Sequence, residues 1–162
     1  MNSVFILNAS PIILLGKAGL LCTISPLADL WIVPDGVTSE IESKRPIAQY
    51  LDELGSAAKV TKESVQHIHP LIASWDLGKG ESEVLSLAMQ KGANVKVILD
   101  DLQARKCAKL LDIELIGSLG LLIRAKQVGL VKAVKPEINK LIDVGIRIDR
   151  RLLAEIYSKI KE

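Results

Sequence analysis

Four polar residues stand where chemistry is possible: Asn8, Glu40, Glu81 and Asp100. Val84, Leu85 and Ala88 follow Glu81 by three, four and seven residues. A helix of 3.6 residues per turn therefore carries Glu81 on the stripe that faces the core, with Glu83 pointing elsewhere. Glu40 repeats the pattern, since Val37, Glu40 and Ile41 share one face while Glu42 points away. A carboxylate on an apolar face is costly unless a cation or several donors compensate it. Asn8 and the pair Asp100-Asp101 each close a short β-prone run, Val4 to Leu7 and Val95 to Leu99. In open parallel α/β sheets, ligands bind beyond the carboxyl ends of the strands. Carboxylates that converge there repel one another without a cation, and oxygen ligands with no His or Cys favour magnesium or manganese. Such a site suits activation of water against a phosphodiester, with the metal stabilising the leaving oxygen. Two of them also have a plainer reading: Asn8 as a turn residue bonding its own backbone, Glu40 as an edge-of-core acid reaching water.

The elements that must position these residues follow from the same pattern. Val4 to Leu7 reads as a central parallel strand. Ser10 as N-cap and Pro11 at the first helical position open a helix over Ile12 to Ala18, stopped by Gly19. Leu30 to Val33 is a second strand closed by Pro34, and Asp35-Gly36 opens the helix of Glu40. Residues 46–76 read as helices with a brief strand over Ala57 to Thr61. Gly78-Lys79-Gly80 lacks the Gly-Lys-Ser/Thr of a phosphate loop and reads as a flexible lead-in to the helix at Glu81. The helix after Asp101 carries Arg105, Lys106 and Lys109, and Ile113 to Ile116 is another strand. Ser118 caps a helix over Leu119 to Val128, and Pro136 to Val144 is the next. Asp149 caps a last helix that stripes Leu152, Leu153, Ile156, Tyr157 and Ile160 on one side. Strands alternating with helices predict one α/β domain over residues 1–162, a mostly parallel sheet covered by helices on both faces, with a helical extension from about 136.

Composition narrows the class. Of 162 residues 49% are hydrophobic but only 3% aromatic, so the core is aliphatic and the chain is neither disordered nor fibrous. The net charge of +2 hides an asymmetry: residues 1–123 carry 11 Lys/Arg against 14 Asp/Glu, residues 124–162 carry 10 against 5. A basic C-terminal quarter either attracts phosphate backbones or is a solvated helical face. Cys22 and Cys107 have neither disulfide-scaffold nor zinc spacing, which points to a reducing cytoplasm. His67 and His69, two apart, would face differently on a helix and do not suggest a metal site. The apolar stretch from Pro11 to Val33 is broken by Lys17, Pro26 and Asp29, so no membrane span is expected.

Several segments carry a resemblance. Val-Phe-Ile-Leu-Asn-Ala-Ser-Pro-Ile-Ile-Leu-Leu at 4–15 resembles the opening strand and helix of PIN domains, and Val-Pro-Asp-Gly-Val-Thr-Ser-Glu-Ile at 33–41 resembles their Pro-x-x-Val-x-x-Glu-Leu segment. Gly-Lys-Gly-Glu-Ser-Glu at 78–83, followed by Ile-Leu-Asp-Asp-Leu-Gln-Ala-Arg at 98–105, is similar to the VapC-like branch, as are 116–120 and 125–130. The resemblance implies a PIN-like three-layer fold and a magnesium- or manganese-dependent ribonuclease, often a homodimeric toxin held inactive by a small antitoxin. Carried over, the family's acidic quartet falls on Asn8, Glu40, Glu81 and Asp100, with Asp101 contending for the last place. Ser10 would orient the site, and Arg105 and Lys109 would meet RNA phosphates. The chain departs from the family at Asn8, where Asp is usual. An amide can ligate through its oxygen but brings no charge and cannot act as a base. The alternative is therefore a PIN scaffold without activity that binds RNA or a protein.

Overall fold

Strand β1 (Val4–Leu7) lies at the centre of a five-stranded sheet. The computed structural model describes residues 3–44 and 49–162. With β2 (Leu30–Pro34), β3 (Val60–Glu63), β4 (Val95–Ile98) and β5 (Leu115–Ile116), the strand order is β3-β2-β1-β4-β5, and every pair is parallel. Helices cover both faces, which is why β1, β2 and β4 read as aliphatic runs rather than alternating ones. The architecture is the three-layer α/β fold expected. Trp31 and Phe5, both buried, meet edge to face at 5.2 Å, and the indole N–H donates to the Ser25 carbonyl at 3.0 Å.

Parallel strands put all their carboxyl ends along one edge, and the connections there carry the residues of interest. Helix α1 (Ala9–Lys17) follows β1, and the segment Leu21–Leu27 (α2, Leu21–Ile24, then a 3-10 turn) leads into β2. Helix α3 (Asp35–Glu42) follows β2 directly. Beyond α4 (Gln49–Ala57), β3 and the one-turn α5 (Pro70–Ala73), helix α6 (Lys79–Lys91) packs on α3, β1 and β4. Helix α7 (Leu102–Leu110) follows β4, and α8 (Ser118–Gln127) follows β5. The last two helices are α9 (Lys135–Asp143) and α10 (Arg150–Ile160).

Three helix starts differ from expectation. Helix α1 begins at Ala9, not after Ser10: Asn8 is extended (φ −84, ψ 165) and takes the N-cap place without capping through its side chain. Ser10 thus lies exposed in the first turn, and Pro11 is third in the helix, where its missing N–H costs nothing. Helix α6 begins at Lys79, with Gly78 as N-cap, so Gly80 belongs to its first turn instead of a flexible lead. Helix α8 begins at Ser118 with Gly117 before it. Residues 46–48 of the expected helical stretch lie outside the described residues. The α10 stripe faces the core through the buried Ile156 and the partly buried Leu153, Tyr157 and Ile160, whereas Leu152 is 46% exposed. Glu162 straps this end down, its carboxylate accepting from the Lys126 ammonium and from the Val134 and Lys135 backbone N–H groups. No single helix is long and apolar enough to cross a membrane among the described residues.

Candidate active site

Asn8 leaves β1 fully buried, its backbone N–H donating to the Ile98 carbonyl of β4 at 3.0 Å. That bond extends the β1–β4 ladder one residue past the strand and points the side chain out of the sheet edge. Its Nδ2–H donates to Glu81 Oε1 at 3.4 Å, while its Oδ1 is buried and accepts no hydrogen bond. An unpartnered buried carbonyl oxygen is unusual and asks for a ligand.

Gly78 and Gly80 explain how three side chains meet there. A methyl group on Gly80 would touch Asn8 Oδ1 at 3.3 Å and Glu40 Oε2 at 3.4 Å, and one on Gly78 would collide with Glu81 Oε2. The two glycines thus form a floor over which Asn8, Glu40 and Glu81 converge. An open cavity of about 410 Å³ lies above it, lined by Gly36, Ser39, Glu40 and residues 78–81. Glu40 and Glu81 both sit at its border, half-buried, and the Lys44 ammonium stands 3.8 Å from Glu40 Oε1.

Asp100 lies just past β4, the strand that pairs with β1. Its Oδ1 accepts from the Ser118 backbone N–H at 2.8 Å and its Oδ2 from the Ser118 hydroxyl at 2.6 Å. Two donors at the start of α8 fix the orientation of the carboxylate. Arg105 shares this space, since a methyl group on Gly117 would meet Arg105 Nη1 at 2.8 Å and Asp100 Oδ1 at 3.0 Å. Asp101 is exposed and caps α7, accepting from the Ala104 N–H at 2.9 Å. Lys109 is exposed, one turn beyond Arg105 on α7. Glu40 and Glu81 therefore border one cavity, with Asn8 buried against Gly80, whereas Asp100 and Arg105 line a separate cavity. Among the described residues, no three Asp, Glu, His or Cys side chains stand close enough to hold an ion by themselves.

Two partners were not visible in the sequence. Glu83 does not point away: it is 4% exposed, and its Oε1 accepts from the Gly36 N–H at 3.0 Å. It is the carboxylate that caps α3, holding the helix of Glu40 against the helix of Glu81. A methyl group on Gly36 would collide with Glu83 Oε2. The available signal was the run Ser82 to Ala88, whose small and apolar residues are all buried and leave Glu83 no solvent side. The Ser118–Asp100 bond is the second, joining two chain ends 18 residues apart. Neither cysteine joins the site: Cys22 is exposed, and burial pushes the Cys107 thiol up, away from reactivity. His69 caps α5 through Nδ1.

A family model for the PIN domain matches residues 4–162, nearly the whole chain. The chain belongs to the PIN-domain family. A search of curated proteins gives no match. In this PIN domain Asn8 and Asp100 follow the neighbouring strands β1 and β4, and Glu40 and Glu81 lie on α3 and α6.

Proposed function

We propose that this PIN domain is a metal-dependent ribonuclease of the VapC-like kind, the toxin of a toxin–antitoxin pair, whose activity the amide of Asn8 lowers or silences. The observation that carries the reading is the unpartnered Asn8 Oδ1, buried over the Gly80 floor beside the Glu40 carboxylate. The donor set fits a hard cation, since every group is an oxygen and two are carboxylates. Glu40, Glu81 and the Asn8 carbonyl would hold magnesium or manganese, and Asp100 completes the set in preference to Asp101, which caps α7. When bound, the metal supplies positive charge that activates water and stabilises the leaving oxygen.

The chain's own residues do the rest. Glu81 Oε1 accepts from Asn8, which leaves Oε2 free to take the proton of an attacking water. Ser118 keeps both Asp100 oxygens oriented, and Arg105 stands where an entering phosphate is neutralised. Ser10 and Lys109, both exposed, are at most peripheral contacts in this reading. A small antitoxin and a homodimeric state belong to the same proposal and rest on the family resemblance; a cytoplasmic setting rests on the spacing of Cys22 and Cys107.

One observation favours a second reading. The Asn8 amide already offers Glu81 a hydrogen-bond donor, so the acid is partly compensated without any cation. In that case the domain binds RNA or a protein without cutting. The test is cleavage of a labelled single-stranded RNA by the chain and by its Asn8→Asp variant, in manganese or EDTA, with Glu81→Gln beside each. Metal-dependent cutting by either, lost in Glu81→Gln, supports the nuclease. Cutting that persists in Glu81→Gln, or none by Asn8→Asp, counts against it.

A further inference from the structure

The largest open cavity among those described, about 670 Å³, begins at Asp100 and Arg105 and runs along α8 to the α9–α10 connection and α10. It is within the roughly 300–1,000 Å³ typical of ligand sites. Its cations come from three separate elements: Arg105 on α7, Arg124 on α8 and Arg147 in the connection. Among the described residues none of the three pairs with a carboxylate. Arg124 is held over the Phe5 ring, 6.0 Å from its centroid, so its guanidinium is positioned before any ligand arrives. Between the cations the wall is aliphatic, formed by Leu119, Ile123 and the exposed Leu152.

From this geometry we infer that the groove is a track for unpaired RNA leading to Asp100, with phosphates on Arg105, Arg124 and Arg147 and base faces on Leu119, Ile123 and Leu152. The choice of occupant rests on the nuclease reading; the binding does not. Ser118, which holds Asp100, and Arg124 are six residues apart on one helix, about 9 Å along its axis. That distance is longer than a single phosphate group, so the track extends past one phosphate. A duplex turns its bases inward and would leave the aliphatic wall uncovered, whereas unpaired bases expose faces that such a wall accepts without reading sequence.

The test is binding of a fluorescein-labelled oligouridylate, followed by anisotropy in EDTA across a salt series, so that no cleavage is required. Neutralising two phosphate contacts in Arg124→Gln/Arg147→Gln lowers affinity and makes the log–log salt slope shallower by about 1.4, at roughly 0.7 per contact. Arg147→Gln alone, an exposed position in a connection, carries about half of this without burdening the fold. Lys17→Gln, at the far end of α1, leaves the slope unchanged. An unaltered slope in both arginine variants overturns the inference, as does tighter binding of the duplex or of an acidic peptide than of the oligouridylate, or no RNA binding at all. Because cutting is scored separately, a groove that binds in a chain that never cleaves refutes only the nuclease, and cutting with an unchanged slope refutes only the groove.

Discussion

Replacing Asn8 by Asp should make the protein weaker without metal and more responsive to it. Asn8 is fully buried and donates to Glu81 Oε1 at 3.4 Å, so the substitution removes a donor and sets a second carboxylate against the first. Two like charges about 4 Å apart at an effective dielectric of about 20 repel by about 4 kcal/mol. Glu81 is half-buried and partly solvated, which reduces the net loss to roughly 1–3 kcal/mol. For a domain of this size that is a fall of roughly 2–12 °C in melting temperature. A cation held between the carboxylates reverses the sign, and a ligand at a hundredfold excess over its dissociation constant returns about 2.7 kcal/mol. The assay is thermal unfolding of both chains in EDTA and in manganese. The variant should melt lower in EDTA, and manganese should raise it by more than it raises the parent. If both chains melt together in EDTA and gain equally from manganese, position 8 and Glu81 do not share a charge-sensitive site.

Three further outcomes follow from contacts described above. Gly36→Ala forces the buried Glu83 carboxylate off the α3 N-terminus and should cost about 1–3 kcal/mol in urea unfolding; Glu83→Gln, whose amide oxygen still accepts from Gly36, should cost less. Ser118→Ala removes the 2.6 Å hydroxyl bond to Asp100 and should lower stability by about 1.5–3 kcal/mol, together with any cleavage by the Asn8→Asp chain. The Lys126 ammonium, then the Val134 and Lys135 N–H groups, hold the Glu162 carboxyl at about 2, down from 4.5. Its folded value is the lower one, so its contribution is complete above about 4.5 and is lost as the pH falls towards about 2. Melting curves of Glu162→Gln should be flatter over that window than those of the parent.

What could be read from the sequence was what local periodicity encodes. The runs Val4–Leu7 and Leu30–Pro34 are aliphatic because both faces of their strands are covered, and Val37, Glu40 and Ile41 share a face because α3 obeys its own period. Cap assignments failed where a side chain had a distant partner. Ser10 looked like the cap of α1 because nothing nearby shows that Asn8 reaches Glu81, 73 residues away. Glu83 was set off the core-facing stripe because its partner, the Gly36 N–H, lies on another helix. The acids were visible as candidates, but their division around the Gly80 floor and the Ser118 bond was not, since it depends on where separate strands end.

The position of β1 also bears on synthesis. Val4 pairs with Leu30 on one side and with Val95 on the other, so β1 waits for β4, about 90 residues later, before its second edge is closed. Parallel pairings of such long sequence separation form slowly, and they form late when the chain emerges from its N-terminus at about 5–20 residues per second. Until β4 emerges, Asn8 lacks the Ile98 carbonyl that sets its direction, and until α8 follows, Asp100 lacks Ser118. A ribosome-bound nascent chain therefore carries Glu40 and Glu81 for some time before it can carry a complete pocket. If the domain cuts RNA as proposed, that order of assembly delays the arming of its site until β4 and α8 have both emerged.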